Sequence, residues 1–180
     1  MSGIIPTYTE IAALRNRLFD KNLKHWIQDD LFTPGWWFLL LSCILPWYIW
    51  WKLVDKNRIF EILSYGLIWA VLSIASDLVG VELGLWGYPD KLIPIIPPMV
   101  PADLTVIPVS YMLVYQYFPL WQSFVTASIV LSAIFSYILE PIFELFDLLI
   151  LEKWKHTYSF IGFIFGAILF KFVMEKIKKR

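Results

Sequence analysis

With 180 residues, 59% hydrophobic and only 17% charged, the chain falls well below the roughly 25% charge of a soluble domain, and its mean hydropathy of +0.65 suits lipid. Fifteen basic residues balance fifteen acidic ones, which leaves no one-signed field to recruit nucleic acid. The single cysteine, Cys43, excludes an intrachain disulfide and any cysteine-based zinc or iron–sulfur site.

Residues 1–33 lack the short apolar core and small-residue cleavage site of a secretory signal and are expected to be retained. They read as an N-terminal amphipathic helix. Thr7 and Glu10 have capping-box spacing, Ile11, Leu14 and Leu18 share one side, and Arg15, Arg17, Lys21 and Lys24 take the others. Such a helix lies flat on headgroups or serves as a docking surface for a partner.

A bundle of about five transmembrane helices is expected to follow, an all-α integral membrane domain over 34–180. A span needs about 20 apolar residues. The first, about 34–54, opens on Thr33-Pro34 and carries Trp36 and Trp37 at one end and Trp47, Tyr48, Trp50 and Trp51 at the other, as two interfacial belts. The second, about 59–81, places Gly66, Ala70, Ser73, Asp77 and Gly80 on one face, which should turn into the bundle and carry Asp77 with it. Between 83 and 100, Pro89, Pro94, Pro97 and Pro98 predict an irregular apolar loop.

The third span, about 101–117, starts with Asp103 in its first turn, where the helix dipole favours a carboxylate, and Pro108 predicts a kink. Pro119 turns the chain into the fourth, about 120–139, which holds no charge. If the helix continues past Pro141, Glu140, Glu144 and Asp147 share a face, with a kink near the proline. The fifth, about 158–174, contains Gly162-Phe163-Ile164-Phe165-Gly166, a small-xxx-small motif. Such motifs pack helices within a chain, or join copies in a homo-oligomer. Cations beside span ends, Lys52, Lys56 and Arg58 and the tail Lys176, Lys178, Lys179 and Arg180, favour a cytoplasmic C-terminus.

Threading five spans gathers the unusual polar residues at one pole: Asp77, Glu82, Trp86, Tyr88, Asp103, Glu140, Trp154, His156 and Tyr158. Intramembrane carboxylates are site candidates by default. Asp77 leads, because a buried carboxyl without a partner suits proton exchange or general acid work. Asp103 as a simple cap, Glu140 in headgroup water, and Glu144, Asp147, Glu152, Lys153 and Lys155 as a solvated face are the plainer readings. The Glu152–His156 pair alone falls short of a zinc set, so no metal and no cofactor are expected. No Gly-rich phosphate loop, Gly-x-Ser-x-Gly elbow or His-Glu-x-x-His helix is present.

Taken together, Asp77-Leu-Val-Gly-Val-Glu-Leu-Gly-Leu-Trp-Gly-Tyr-Pro89, Leu92-Ile-Pro-Ile-Ile-Pro-Pro-Met-Val-Pro-Ala-Asp103, Tyr111-Met-Leu-Val-Tyr-Gln-Tyr-Phe-Pro119, Glu140-Pro141 and Trp154-Lys-His-Thr-Tyr158 resemble a family of small, uncharacterised multi-spanning proteins of bacilli and clostridia. The resemblance covers most of residues 34–175 and implies a bacterial, inner-membrane protein without assigning an activity. Asp77, Trp86, Tyr88, Pro101 and Asp103 also fall in an order similar to membrane lycopene cyclase domains, which act on carotenoid ends by acid chemistry. The paired glutamates that follow the proline by two positions in those domains are missing here, where the sequence reads Pro101-Ala102-Asp103-Leu104.

Three functions from different classes are therefore expected to compete. A carboxylate-lined cavity binds a lipid-like or small cationic ligand or a membrane partner; the same acids perform acid-based chemistry on an isoprenoid-type lipid; or Asp77 and Glu140 relay a proton or cation in transport.

Overall fold

The computed structural model describes residues 5–96 and 98–178; Met1 to Ile4, Pro97 and the tail cations Lys179 and Arg180 lie outside the described residues. Helix α1 (Tyr8–His25) begins as its sequence dictates: the Thr7 side chain accepts from the Glu10 amide, and the Glu10 carboxylate accepts from the Thr7 amide. Those two bonds satisfy donors that a helix start leaves orphaned, and the Thr7 amide and hydroxyl, both donating to the Glu10 carboxylate, hold it below its usual range. None of its residues is buried, and Ile11, Leu14 and Leu18 stand exposed.

A π-helical turn (Trp26–Asp30) continues α1 before the chain swings through about 100° into α2 (Pro34–Leu53). Phe32 adopts a φ of +64° at this elbow, a conformation uncommon for a bulky residue, and its ring packs on Trp36 and Trp37. Thr33 caps α2 and Pro34 opens it as expected. The helix runs through Pro46 without ending.

Helix α3 (Ile59–Glu82) is the long central element, and its small-residue face turns inward: Gly66, Ala70, Asp77 and Gly80 are all buried. The absent side chain of Gly66 makes room for Met112, and that of Gly80 for the ring of Trp86. Gly84, at φ +61°, ends the helix in a Schellman turn, with the Leu85 amide on the Gly80 carbonyl and the Gly84 amide on that of Val81.

Helix α4 (Ile107–Tyr117) is entered through a π turn (Ala102–Val106), and α5 (Trp121–Ile134) passes through another (Phe135–Leu139) into α6 (Glu140–Leu145). Both π turns sit just ahead of a proline at a helix start, Pro108 and Pro141. Proline lacks an N–H and crowds the carbonyl four residues back, and a widened turn relieves that crowding. The carbonyl four residues before Pro108, that of Leu104, is taken instead by the Trp47 indole N–H at 3.2 Å. At Pro108 and Pro141, where kinks were expected, the chain carries π turns.

A second Schellman turn closes α6, with Asp147 at φ +55°; the Leu148 amide bonds the Phe143 carbonyl and the Asp147 amide that of Glu144. Asp147 therefore leaves the helix face it was expected to share with Glu140 and Glu144. Strands β1 (Trp86–Gly87) and β2 (Ile150–Leu151) then pair antiparallel, and α7 (His156–Lys178) completes the chain.

Aromatic stacking joins α3 to α4, Trp69 on Tyr111 at 4.1 Å and Tyr65 on Tyr115 at 4.4 Å. Ser128, Ser132 and Ser136, each fully buried, line one side of the α5 path, where their small size admits neighbours closely. Gly166 accommodates the Trp69 ring, so it packs helices within the chain and is buried away from the surface. Lys171, 2% exposed, donates to the carbonyls of Phe118 and Pro119 at the turn between α4 and α5.

Three helices are long and apolar enough to cross a membrane, Lys56–Glu82, Trp121–Leu145 and His156–Lys178, and a fourth arises if the bent pair Tyr8–Asp30 and Pro34–Leu53 counts as one. That is fewer than the five spans expected. Helix α4 has 11 residues behind a five-residue π turn, with Pro108, Val109, Tyr111, Met112 and Tyr115 buried. The α2 segment carries Trp36, Trp37, Trp47, Trp50 and Trp51, which lower its hydropathy.

Gly80→Ala tests the close approach of Trp86. An exposed helical glycine gains about 1 kcal/mol on becoming alanine, but here the new methyl overlaps the indole. Thermal unfolding in detergent should show a net loss of about 1–3 kcal/mol.

Candidate functional site

Asp77 sits in the last two turns of α3, 6% exposed. Its Oδ1 accepts from the Trp86 indole N–H at 3.0 Å and the Tyr88 hydroxyl at 2.9 Å, and its Oδ2 from the Met99 amide at 3.1 Å. Three donors from both ends of the 83–100 loop thus converge on one carboxylate. Burial, then the charges of Asp77 and Asp103, push the Tyr88 phenol well above its ordinary range, so it remains a donor.

The β1–β2 ladder fixes the other edge of the loop. The Glu152 and Lys153 amides both bond the Leu85 carbonyl at 3.0 Å, and Trp86 meets Trp154 edge-on at 4.9 Å, with Tyr158 beyond it at 5.3 Å. Trp154 donates to the Ser159 hydroxyl at 3.0 Å.

Beneath this roof lies a cavity of about 500 Å³ between α3, the α4 entrance, the α5–α6 path and α7. Its walls are mostly apolar and aromatic, including Trp69, Phe135, Phe143, Phe163 and Phe170, with Asp77, Asp103 and Glu140 as the acidic lining residues. Asp103, in the π turn before α4, is 3% exposed, and its Oδ2 has no hydrogen-bond partner. An unpartnered buried carboxyl oxygen carries a desolvation cost that a ligand donor would relieve. A shallower concavity of about 670 Å³ along α4 and α5 has Val114, Leu120 and Val130 in its lining and no charged group.

Glu140 stands at the cavity edge and pairs with His156, Oε2 to Nδ1 at 2.7 Å, while the His156 Nε2 lies 3.2 Å from Glu144. His156 is thereby turned to two carboxylates and does not line the cavity, and its partners are Glu140 and Glu144, whereas the spacing had pointed to Glu152. Glu82 is exposed, away from the cavity. Of the residues expected at this pole, Asp77, Trp86, Tyr88, Asp103, Glu140, Trp154 and Tyr158 line one enclosure. Their roles differ from expectation: Asp77 is committed to the loop, and Asp103 holds the free oxygen.

Ser73, placed on the inward face of the second span, also lines the cavity, and the sequence reading missed Ser76, Ser159 and the aromatic wall. Their contribution depends on which helix faces meet. No family model, curated protein or solved structure matches the chain.

Asp77→Asn replaces one acceptor with an N–H₂ group, so three donors would compete for one carbonyl oxygen. Hydrogen bonds to a charged partner contribute about 1.5–3 kcal/mol each. Hydrogen exchange should therefore show faster opening of the 83–99 segment in the variant than in the wild type.

Proposed function

We propose that this chain is a multi-pass protein of the bacterial inner membrane that holds an amphipathic, lipid-like molecule in the cavity beneath the 83–100 loop. The carrying observation is the buried, unpartnered Asp103 Oδ2 in an enclosure of aromatic walls. Sites of this kind combine apolar surface with a few placed polar groups. The occupant would present an ammonium or hydroxyl donor to Asp103 and lay its apolar body along α7 toward Phe165 and Leu169. A volume of about 500 Å³ suits a molecule with a short chain or a single ring system.

The 100° bend between the N-terminal helix and α2 supports α1 lying in the membrane plane while α2 enters it. Cations at the end of α7, Lys176 and Lys178, support a cytoplasmic C-terminus. The three long apolar helices support association with the lipid bilayer. Gly162, which has open space ahead of its missing side chain at the cavity rim, leaves a route for entry or for a second copy of the chain.

A second reading is favoured by Asp103 and Asp77 lining the same cavity. In it Asp103 donates a proton to an isoprenoid-type alkene and Asp77, fixed by three donors, stabilises the carbocation that forms. The weaker resemblance to carotenoid-cyclising domains points the same way. Transport through Asp77 and Glu140 would require both to release the partners they hold.

Native mass spectrometry of the detergent-purified protein tests binding. A stoichiometric small-molecule adduct is expected, reduced roughly tenfold or more in Asp103→Asn and absent in Gly162→Phe, whose side chain starts in open space at the rim. Wild-type protein that is folded and bare after mild extraction would overturn the reading. Conversion of a polyprenyl substrate, lost in Asp103→Asn, would select the enzyme over the binding module.

A further inference from the structure

Outside the cavity, the elbow between α1 and α2 brings together residues far apart in sequence. His25 closes α1, Asp30 ends the π turn, and Asp90 comes from the proline-rich loop. One ligand atom from each lies within 4.8 Å of the others. Asp30 is 2% exposed; its Oδ2 accepts from the Lys91 amide at 3.1 Å, and its Oδ1 has no hydrogen-bond partner although the His25 Nε2 stands 3.3 Å away. The other ring nitrogen of His25 faces Asp29 Oδ2 at 3.1 Å. Asp90 packs its Oδ2 3.6 Å from where a side chain on Gly35 would begin.

Three carboxylates therefore gather around one imidazole, and among the described residues no lysine or arginine forms an ion pair with Asp29, Asp30 or Asp90. The buried Asp30 Oδ1 is the independent sign that a positive group belongs between them.

We propose that His25 Nε2, Asp30 Oδ1 and an oxygen of Asp90 bind a divalent transition-metal cation of the zinc or manganese type. One imidazole and two carboxylates match those ions and not a thiol-seeking or all-oxygen metal. Metal–ligand bonds of about 2.1 Å place the ligands of a tetrahedral ion about 3.4 Å apart, which the His25 Nε2 to Asp30 Oδ1 separation of 3.3 Å already meets, and the Asp90 oxygen, within 4.8 Å of both, closes the set by a side-chain movement. Asp29 orients the imidazole and the Lys91 amide orients Asp30, the outer partners that metal-binding side chains require. Three protein ligands leave a position for water. The ion would clamp the elbow of the N-terminal helix to the loop that roofs the cavity, reinforcing the Trp26 indole bond to the Lys91 carbonyl and the Trp36 indole bond to that of Leu92.

The test is calorimetric titration of tag-free, chelator-stripped full-length protein with Zn²⁺ or Mn²⁺ alone, read beside the melting temperature. One equivalent should bind and raise the melting temperature. His25→Gln and Asp90→Asn, both at partly exposed positions, should each weaken binding roughly tenfold or more, and Asp30→Asn should remove it. In chelator, Asp90→Asn should melt at or above the wild type, because it removes a carboxylate from an acidic cluster, which separates lost binding from a lost fold. Absence of saturable binding by the wild type, or affinity unchanged in His25→Gln and Asp90→Asn, would overturn the assignment.

Discussion

The Asp77 carboxylate is the constraint on which the functional end of the molecule depends. Regular helix cannot form across 83–100, where prolines remove donors, so the loop needs an external partner for its polar groups. Asp77 supplies it, taking an indole N–H and a phenol from one end of the loop and a backbone amide from the other. Gly80, one turn further along, leaves space for the indole that must lie there. Removing either the charge or the space would release the roof from the bundle.

The prolines that break regular structure also shape the cavity. Pro108 and Pro141 each follow a π turn, and those turns or their immediate ends carry Asp103 and Glu140. A widened turn shifts the helical register, so a side chain can point inward where an unbroken helix would have turned it aside. Asp103 and Glu140 thus join the lining where the helices depart from ideal geometry, while Ser73, Ser76 and Asp77 reach it from the regular turns of α3.

Much of this was legible from sequence because it rests on local rules. The Thr7–Glu10 capping box, the Thr33-Pro34 start and the inward face of Gly66, Ala70, Asp77 and Gly80 follow from spacing alone, as does the gathering of acids at one pole. What escaped depends on tertiary partners. Which carboxylate is satisfied and which is left free is decided by where Trp86, Tyr88 and Met99 come to rest. The pairing of Trp86–Gly87 with Ile150–Leu151 joins segments too short to signal strands. Asp147 left its predicted face through a C-terminal turn that usually takes glycine. Helix α4, read as a span from its apolar composition, has 11 residues and buries five of them against protein neighbours.

The central claim is that the enclosure selects a donor-bearing amphiphile through the free oxygen of Asp103. Competition binding in nanodiscs, with a short-chain alkylammonium and an alkyl sulfate of equal length, addresses it most directly. The account predicts saturable binding of the ammonium probe, at least roughly tenfold tighter than the sulfate, with that preference abolished in Asp103→Asn. Equal affinity for the two probes, or a preference that survives the substitution, would contradict it.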